Sequence, residues 1–178
     1  MQKYFFIFIS IGTLVMLLVM AKTGAPLKTV ATPHGIIDLE FACNQQKLAV
    51  VMNAWKENGS TNNILTAKIN TQLDFIFLLY YALFFNLACK KIAALFSGNF
   101  ANWGLIIAAG AIGAGLFDIF ENIGMLLSLH GNINSSIPMA TFIFSITKWL
   151  LVIIAAAYCI IGGLRLLINQ LSKKNQPV

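Results

Sequence analysis

A chain of 178 residues that is 58% hydrophobic and only 10% charged, with a mean hydropathy of +0.79, lies outside the soluble globular range, and its length holds one domain. The formal net charge of +6 does not read as a nucleic-acid footprint, because the Lys and Arg residues flank apolar runs instead of clustering with aromatics on a polar face. Cys43 lies outside those runs and Cys89 and Cys159 within them, which excludes a disulfide framework or a Cys-x-x-Cys metal motif and leaves small buried fillers.

The expected architecture is all-α, an integral membrane four-helix bundle with an amphipathic helix in a long first outer loop, residues 1–178 forming a single membrane domain. The first apolar run, Tyr4 to Met20, follows Lys3 and precedes Lys22. It reads as an uncleaved first helix, because the exit lacks an A-x-A cleavage pattern. Residues 21–72 form the outer loop, opened by Pro26, Pro33 and Gly35. Within it Ile37, Phe41, Leu48, Val51, Met52 and Trp55 fall within about 100° of one another on a helical wheel, with Asp38, Gln46, Asn53 and Lys56 turned away. The spacing predicts one amphipathic helix over 36–55 with Asn58-Gly59 as its stop, packed on the bundle or laid on the membrane surface.

The second span is expected from about Leu73 to Lys91. Thr71-Gln72-Leu73-Asp74 has the form of a capping box at its start, which makes Asp74 a helix-start residue. The third span, Trp103 to Leu129, alternates Gly and Ala; Gly110 with Ala114 and Ala111 with Gly115 stand four apart and allow close helix approach. The fourth covers about Met139 to Ile168. Lys3, Lys90, Lys91, Arg165, Lys173 and Lys174 then share one side, which predicts cytoplasmic termini and, with a bacterial origin, an inner-membrane location.

The stretch Asp118-x-x-Glu121-Asn122 puts two carboxylates and an amide on one helix face inside an apolar run, together with Gly115 and Met125. Ionisable groups in a spanning segment cost roughly 2.5–3.5 kcal/mol each on insertion scales, so they face the bundle interior, a partner or a cavity. Counting helical rise from Lys91 to Asp74, from Trp103 to Asp118 and from Arg165 to Lys148 places all three groups roughly 25, 22 and 25 Å above the inner boundary, in the outer third of the hydrocarbon core. Lys148 is the natural counter-charge. Asp38, Glu40, Asp74, Asp118 and Glu121 are expected at or just above one site, with Glu57 apart. His34 and His130 read as lone loop histidines. Tyr80, Tyr81 and Trp149 suit packing or interfacial roles better than catalysis.

The segments Gly35-Ile36-x-Asp38-x-Glu40-x-Ala42, Asp74-Phe75-x-Phe77-x-x-Tyr80-Tyr81 and Asp118-x-x-Glu121-Asn122 together resemble a group of uncharacterised bacterial four-helix membrane proteins with G-I-x-D-x-E-x-A, D-x-x-F-x-x-Y and D-x-x-E-N motifs. That resemblance implies that the acidic positions are a functional signature, and carries no activity. A looser likeness to emopamil-binding and sigma-2-type proteins does not extend to the histidine and carboxylate pattern of the sterol isomerases. The W-G-L-W and paired loop cysteines of claudin-like proteins are absent.

The candidate ligand-binding set is Asp38, Glu40, Asp74, Tyr81, Asp118, Glu121, Asn122 and Lys148, with no catalytic or metal-ligating residue nominated. Three functions compete. The first is binding or transport of a small cation, an amine or a lipid head group, transport requiring a homodimer in so small a chain. The second is a structural or assembly role in which the charges fix helix packing. The third is a membrane enzyme acting on a lipid or isoprenoid with a divalent cation held by these carboxylates. Beyond these the expected partner is the lipid bilayer, and not nucleic acid.

Overall fold

The computed structural model describes residues 2–56, 63–132, 134 and 136–174. Among them lie six α-helices: α1 (Gln2–Gly24), α2 (Ile36–Glu40), α3 (Gln45–Lys56), α4 (Asn63–Ala93), α5 (Asn99–Leu129) and α6 (Ser136–Lys174), with a 3-10 turn at Ala25–Leu27. The protein is all-α, and α1, α4, α5 and α6 are each long and apolar enough to cross a membrane. Their outward faces carry Leu14, Ile106, Leu116, Ile153 and Leu164, each more than half exposed, a contiguous apolar surface that water penalises and a bilayer does not.

Helix α4 packs along α5, α5 along α6, and α4 also touches α6; α1 rests on α4. The close approaches use glycine where a side chain has no room. A Cβ on Gly12 would fall on the Tyr80 ring, one on Gly124 would fall on the Thr141 hydroxyl, and one on Gly115 would come within 3.1 Å of the Ala82 Cβ. Gly110 meets only Leu151 at an ordinary 3.5 Å, so the small-residue stripe of α5 does its work at Gly104, Gly115 and Gly124 and not at Gly110.

Two sequence expectations need correction. Helix α4 begins at Asn63, ten residues before the expected Leu73, so Thr71 and Asp74 lie in mid-helix and form no capping box. Hydropathy misses that first part because Asn63, Lys68, Asn70 and Gln72 dilute it. The expected single helix over 36–55 is two helices, broken at Phe41–Asn44. The Asn44 side chain accepts the Lys47 N–H at 2.9 Å and starts α3, while Gly35, at φ 66°, supplies the left-handed residue that starts α2. The Asn58-Gly59 stop and Glu57 lie outside the described residues.

The loop segment caps the bundle. Leu48, Val51 and Trp55 of α3 are buried in one cluster with Leu27, Leu39, Ala67, Met125 and Leu129. Gln46, Asn53 and Lys56 stay exposed on the opposite face, as the amphipathic pattern requires. Trp55 pins the cap: its Nε1 donates to the Leu27 carbonyl (2.9 Å) and to Thr32 Oγ1 (3.2 Å), so the indole fills the cluster with its polar edge satisfied.

Candidate functional site

The i, i+3, i+4 spacing on α5 does place Asp118, Glu121 and Asn122 on one buried face, each no more than 1% exposed. That face meets Lys148 of α6. Lys148 Nζ donates to Asp118 Oδ1 at 3.0 Å and to Glu121 Oε1 at 2.8 Å, and stands 3.7 Å from Glu40 Oε2. Asp118 is held a second time, by the Tyr81 hydroxyl, which donates to its Oδ2 at 2.7 Å. Asn122 Nδ2 donates to Asp74 Oδ2 at 2.9 Å, tying α5 to α4. The residues that helical rise put at one height therefore do meet.

The cap contributes one of its two acids. Glu40, at the end of α2, is drawn in by Trp149, whose Nε1 donates to Glu40 Oε2 at 3.0 Å, and by Ser145, whose Oγ donates to the Glu40 carbonyl at 3.2 Å. Trp149 also sets its ring 5.5 Å from Lys148 Nζ. Asp38 does not join them: its Oδ2 accepts the His34 backbone N–H at 2.8 Å, closing the turn ahead of α2. Its expected place at the site is thus corrected, because residues two apart on a helix point different ways and only Glu40 faces the bundle.

Beside this network lies a cavity of about 530 Å³, a size suited to a small organic ligand. Its floor is one face of α4, running from Asn70, Thr71 and Asp74 through Phe77 and Tyr81 to Phe84 and Phe85. Its sides are α1, at Thr13, Leu17, Met20 and Gly24, and α6, at Lys148, Trp149 and Val152; α2 roofs it with Ile36, Ile37 and Glu40. Leu17 and Trp149, on the two lips, are exposed, so the cavity is a cleft between α1 and α6 with a lateral mouth. Glu40, Asp74, Asp118 and Lys148 line its polar end, whereas Glu121 and Asn122 sit behind the lining.

Four carboxyls gather here, Glu40, Asp74, Asp118 and Glu121, against Lys148 inside and Lys28 among the exposed lining residues. Acid exceeds base, and such a group repels itself unless protons or a further cation complete it. Among the described residues no group of three or more His, Cys, Asp and Glu is placed to hold a metal ion. The Lys148 ammonium occupies the space between Glu40, Asp118 and Glu121 that a divalent cation would need.

Sequence reasoning did not single out Asn70, Ser145 or the α1 face, and it read Thr71 as part of a helix start and Trp149 as a packing or interfacial residue. Each looks ordinary in sequence; the signal that could have found Asn70 and Thr71 is that they share a face with Asp74 once α4 is extended upstream. Compared with known proteins, the chain matches no family model, no curated protein and no solved structure.

Proposed function

We propose that this chain is an integral membrane binding protein for an amphiphile dissolved in the bilayer, whose polar head meets the carboxylates while its apolar part lies in the cleft between α1 and α6. The observation that carries this reading is the continuity of the cavity: one space of about 530 Å³ runs from Leu17, Phe84 and Val152 to Glu40, Asp74 and Asp118. A water-soluble cation would need only the polar end. An apolar floor opening sideways through exposed Leu17 and Trp149 suits a ligand arriving from lipid. The functional signature implied by the resembled motifs falls on the same end of the cleft at Glu40, Asp74, Tyr81 and Asp118. We place the polar end toward the outer face of a bacterial inner membrane, since Lys90, Lys91 and Arg165 lie at the other end of their helices, the distribution expected of a cytoplasmic side.

The structural alternative keeps one specific support: Glu121 is wholly buried, bonded to Lys148, and does not line the cleft. We assign that pair to architecture and the lining acids to binding.

The test is thermal unfolding of the purified protein against single-chain amphiphiles of varied head group, wild type beside Ala21→Trp. Ala21 is exposed and lines the cleft, so the indole fills the space without emptying any core. A ligand at a hundred times its dissociation constant adds about 2.7 kcal/mol, roughly 5–11 °C for a chain of this size. Wild type should shift and Ala21→Trp should not. If no amphiphile shifts wild type, or if both proteins shift alike, the cleft is not a ligand site.

A further inference from the structure

The same cleft holds polar atoms that the protein itself leaves unpaired, and they bear on what the head group is. Asn70 and Thr71 are wholly buried, and both line the cavity. Asn70 Nδ2 donates to the Met20 carbonyl at 3.2 Å and to Thr23 Oγ1 at 2.7 Å, which fixes the amide orientation because a carbonyl can only accept. Asn70 Oδ1 is left without a partner. The hydroxyls of Thr13, Thr23, Thr141 and Thr147 each donate to the carbonyl four residues earlier, whereas the buried Thr71 Oγ1 makes no hydrogen bond. Asp74, one turn on, lines the same space and uses Oδ2 for Asn122.

Asn70 and Asp74 are four apart and Thr71 and Asp74 three apart, so on α4 Asp74 has its Cβ about 5–6 Å from that of each, and all three line the cavity. Three oxygens so spaced can surround a single nitrogen at ordinary hydrogen-bond lengths of about 2.7–3.2 Å. A buried acceptor without a donor is costly, and while Asn63 Oδ1, Glu121 Oε2 and Asn122 Oδ1 are also unpaired away from the lining, Asn70 and Thr71 line the cavity, where something that brings donors can complete them. A phosphate or sulfate head brings acceptors and negative charge to a face already rich in both. A lone hydroxyl brings one donor and no charge. Water brings donors and leaves the acidic excess as it was. A primary ammonium brings three N–H donors and the missing positive charge together.

Resting on the amphiphile reading above, we infer that the head group this cleft takes is a protonated primary amine, held by Asn70 Oδ1, Thr71 Oγ1 and the Asp74 carboxylate on one face of α4. Lys148 is then the resident ammonium of the inner carboxylates, and the ligand supplies a second one beside it. The apolar stem of the ligand follows the α4 face past Phe77 to Phe84 and Phe85.

The experiment measures binding to the full chain in lipid nanodiscs of dodecylamine, dodecanol, dodecyltrimethylammonium and dodecyl phosphate, which share one tail. Thr71→Val is the diagnostic variant. It keeps the shape and removes an oxygen that bonds to nothing in the protein, so the unliganded fold is as stable as wild type or more so. Dodecylamine is expected to bind tightest, and Thr71→Val to weaken it at least ~10-fold while leaving dodecanol and the trimethylammonium compound within ~3-fold. If the alcohol, the quaternary amine or the phosphate binds as tightly as the primary amine, or if Thr71→Val leaves the amine unaffected, the head-group assignment is overturned and the amphiphile site stands. If no dodecyl compound binds whatever its head, both fall.

Discussion

Lys148 is the single residue on which the buried charges depend, and Lys148→Met isolates its ammonium. Methionine keeps most of the aliphatic stem and removes the charge that contacts Asp118 at 3.0 Å, Glu121 at 2.8 Å and Glu40 at 3.7 Å. Removing one partner of a buried ion pair costs about 3–5 kcal/mol, because the other charge is left without compensation. At roughly 2–4 °C per kcal/mol for a chain of this length, the variant should unfold about 6–20 °C below wild type, read by far-ultraviolet circular dichroism in detergent. Glu121 is the inner partner and does not line the cleft, so Lys148→Met with Glu121→Gln removes an orphaned charge. The double variant should be at least about 1.5 kcal/mol more stable than the sum of the two single losses predicts, a coupling within the range for residues in one network. A Lys148→Met protein melting within about 2 °C of wild type, or strict additivity in the double variant, would refute the claim that this ammonium holds α5 to α6.

Gly124→Ala sets a methyl group on the Thr141 hydroxyl, which is itself held to the Ile137 carbonyl at 3.0 Å, and should destabilise by about 1–3 kcal/mol, whereas Gly113→Ala, whose Cβ would sit 3.8 Å from Leu151, should be silent in the same melt. Trp55→Ala empties the centre of the cap cluster and should cost about 3–5 kcal/mol; limited proteolysis should then find the loop segment before the spanning helices open. Cys89 and Cys159 hold their sulfurs 3.6 Å apart across α4 and α6. Mild oxidation should therefore protect both from alkylation together, and protection of neither would mean that those helices do not pack as described.

The inner half of the site was legible in the sequence, because helical geometry is rigid enough to carry residue spacing into space. Asp118, Glu121 and Asn122 had to share a face, and equal rise from three helix ends had to bring Asp74, Asp118 and Lys148 to one height. The outer half was not legible, for two physical reasons. Residues that line a polar cleft and residues that cap a helix are of the same kinds, so Thr71-Gln72-Leu73-Asp74 reads as a start signal although α4 runs through it. And Glu40 and Asp38 carry equal weight in sequence; only the φ of 66° at Gly35 and the break after Phe41 decide that Glu40 reaches Trp149, 109 residues away, while Asp38 folds back to the His34 amide.

Those two halves differ in a way that bears on function. In the inner half the carboxylates find donors within the protein: Lys148 serves Asp118 and Glu121, Tyr81 serves Asp118, and Asn122 serves Asp74, while Glu121 Oε2 and Asn122 Oδ1 stay unpaired behind the lining. The α4 face continues to Asn70 and Thr71, residues that line a space large enough for a ligand and whose side-chain oxygens the protein leaves unpaired. Unpaired acceptors thus occur on both sides of the lining, and those of Asn70 and Thr71 belong to the side reached through the gap between α1 and α6. That difference in place lets substitutions at Glu121 report on folding and substitutions at Thr71 report on binding, because the first residue lies behind the lining and the second is part of it.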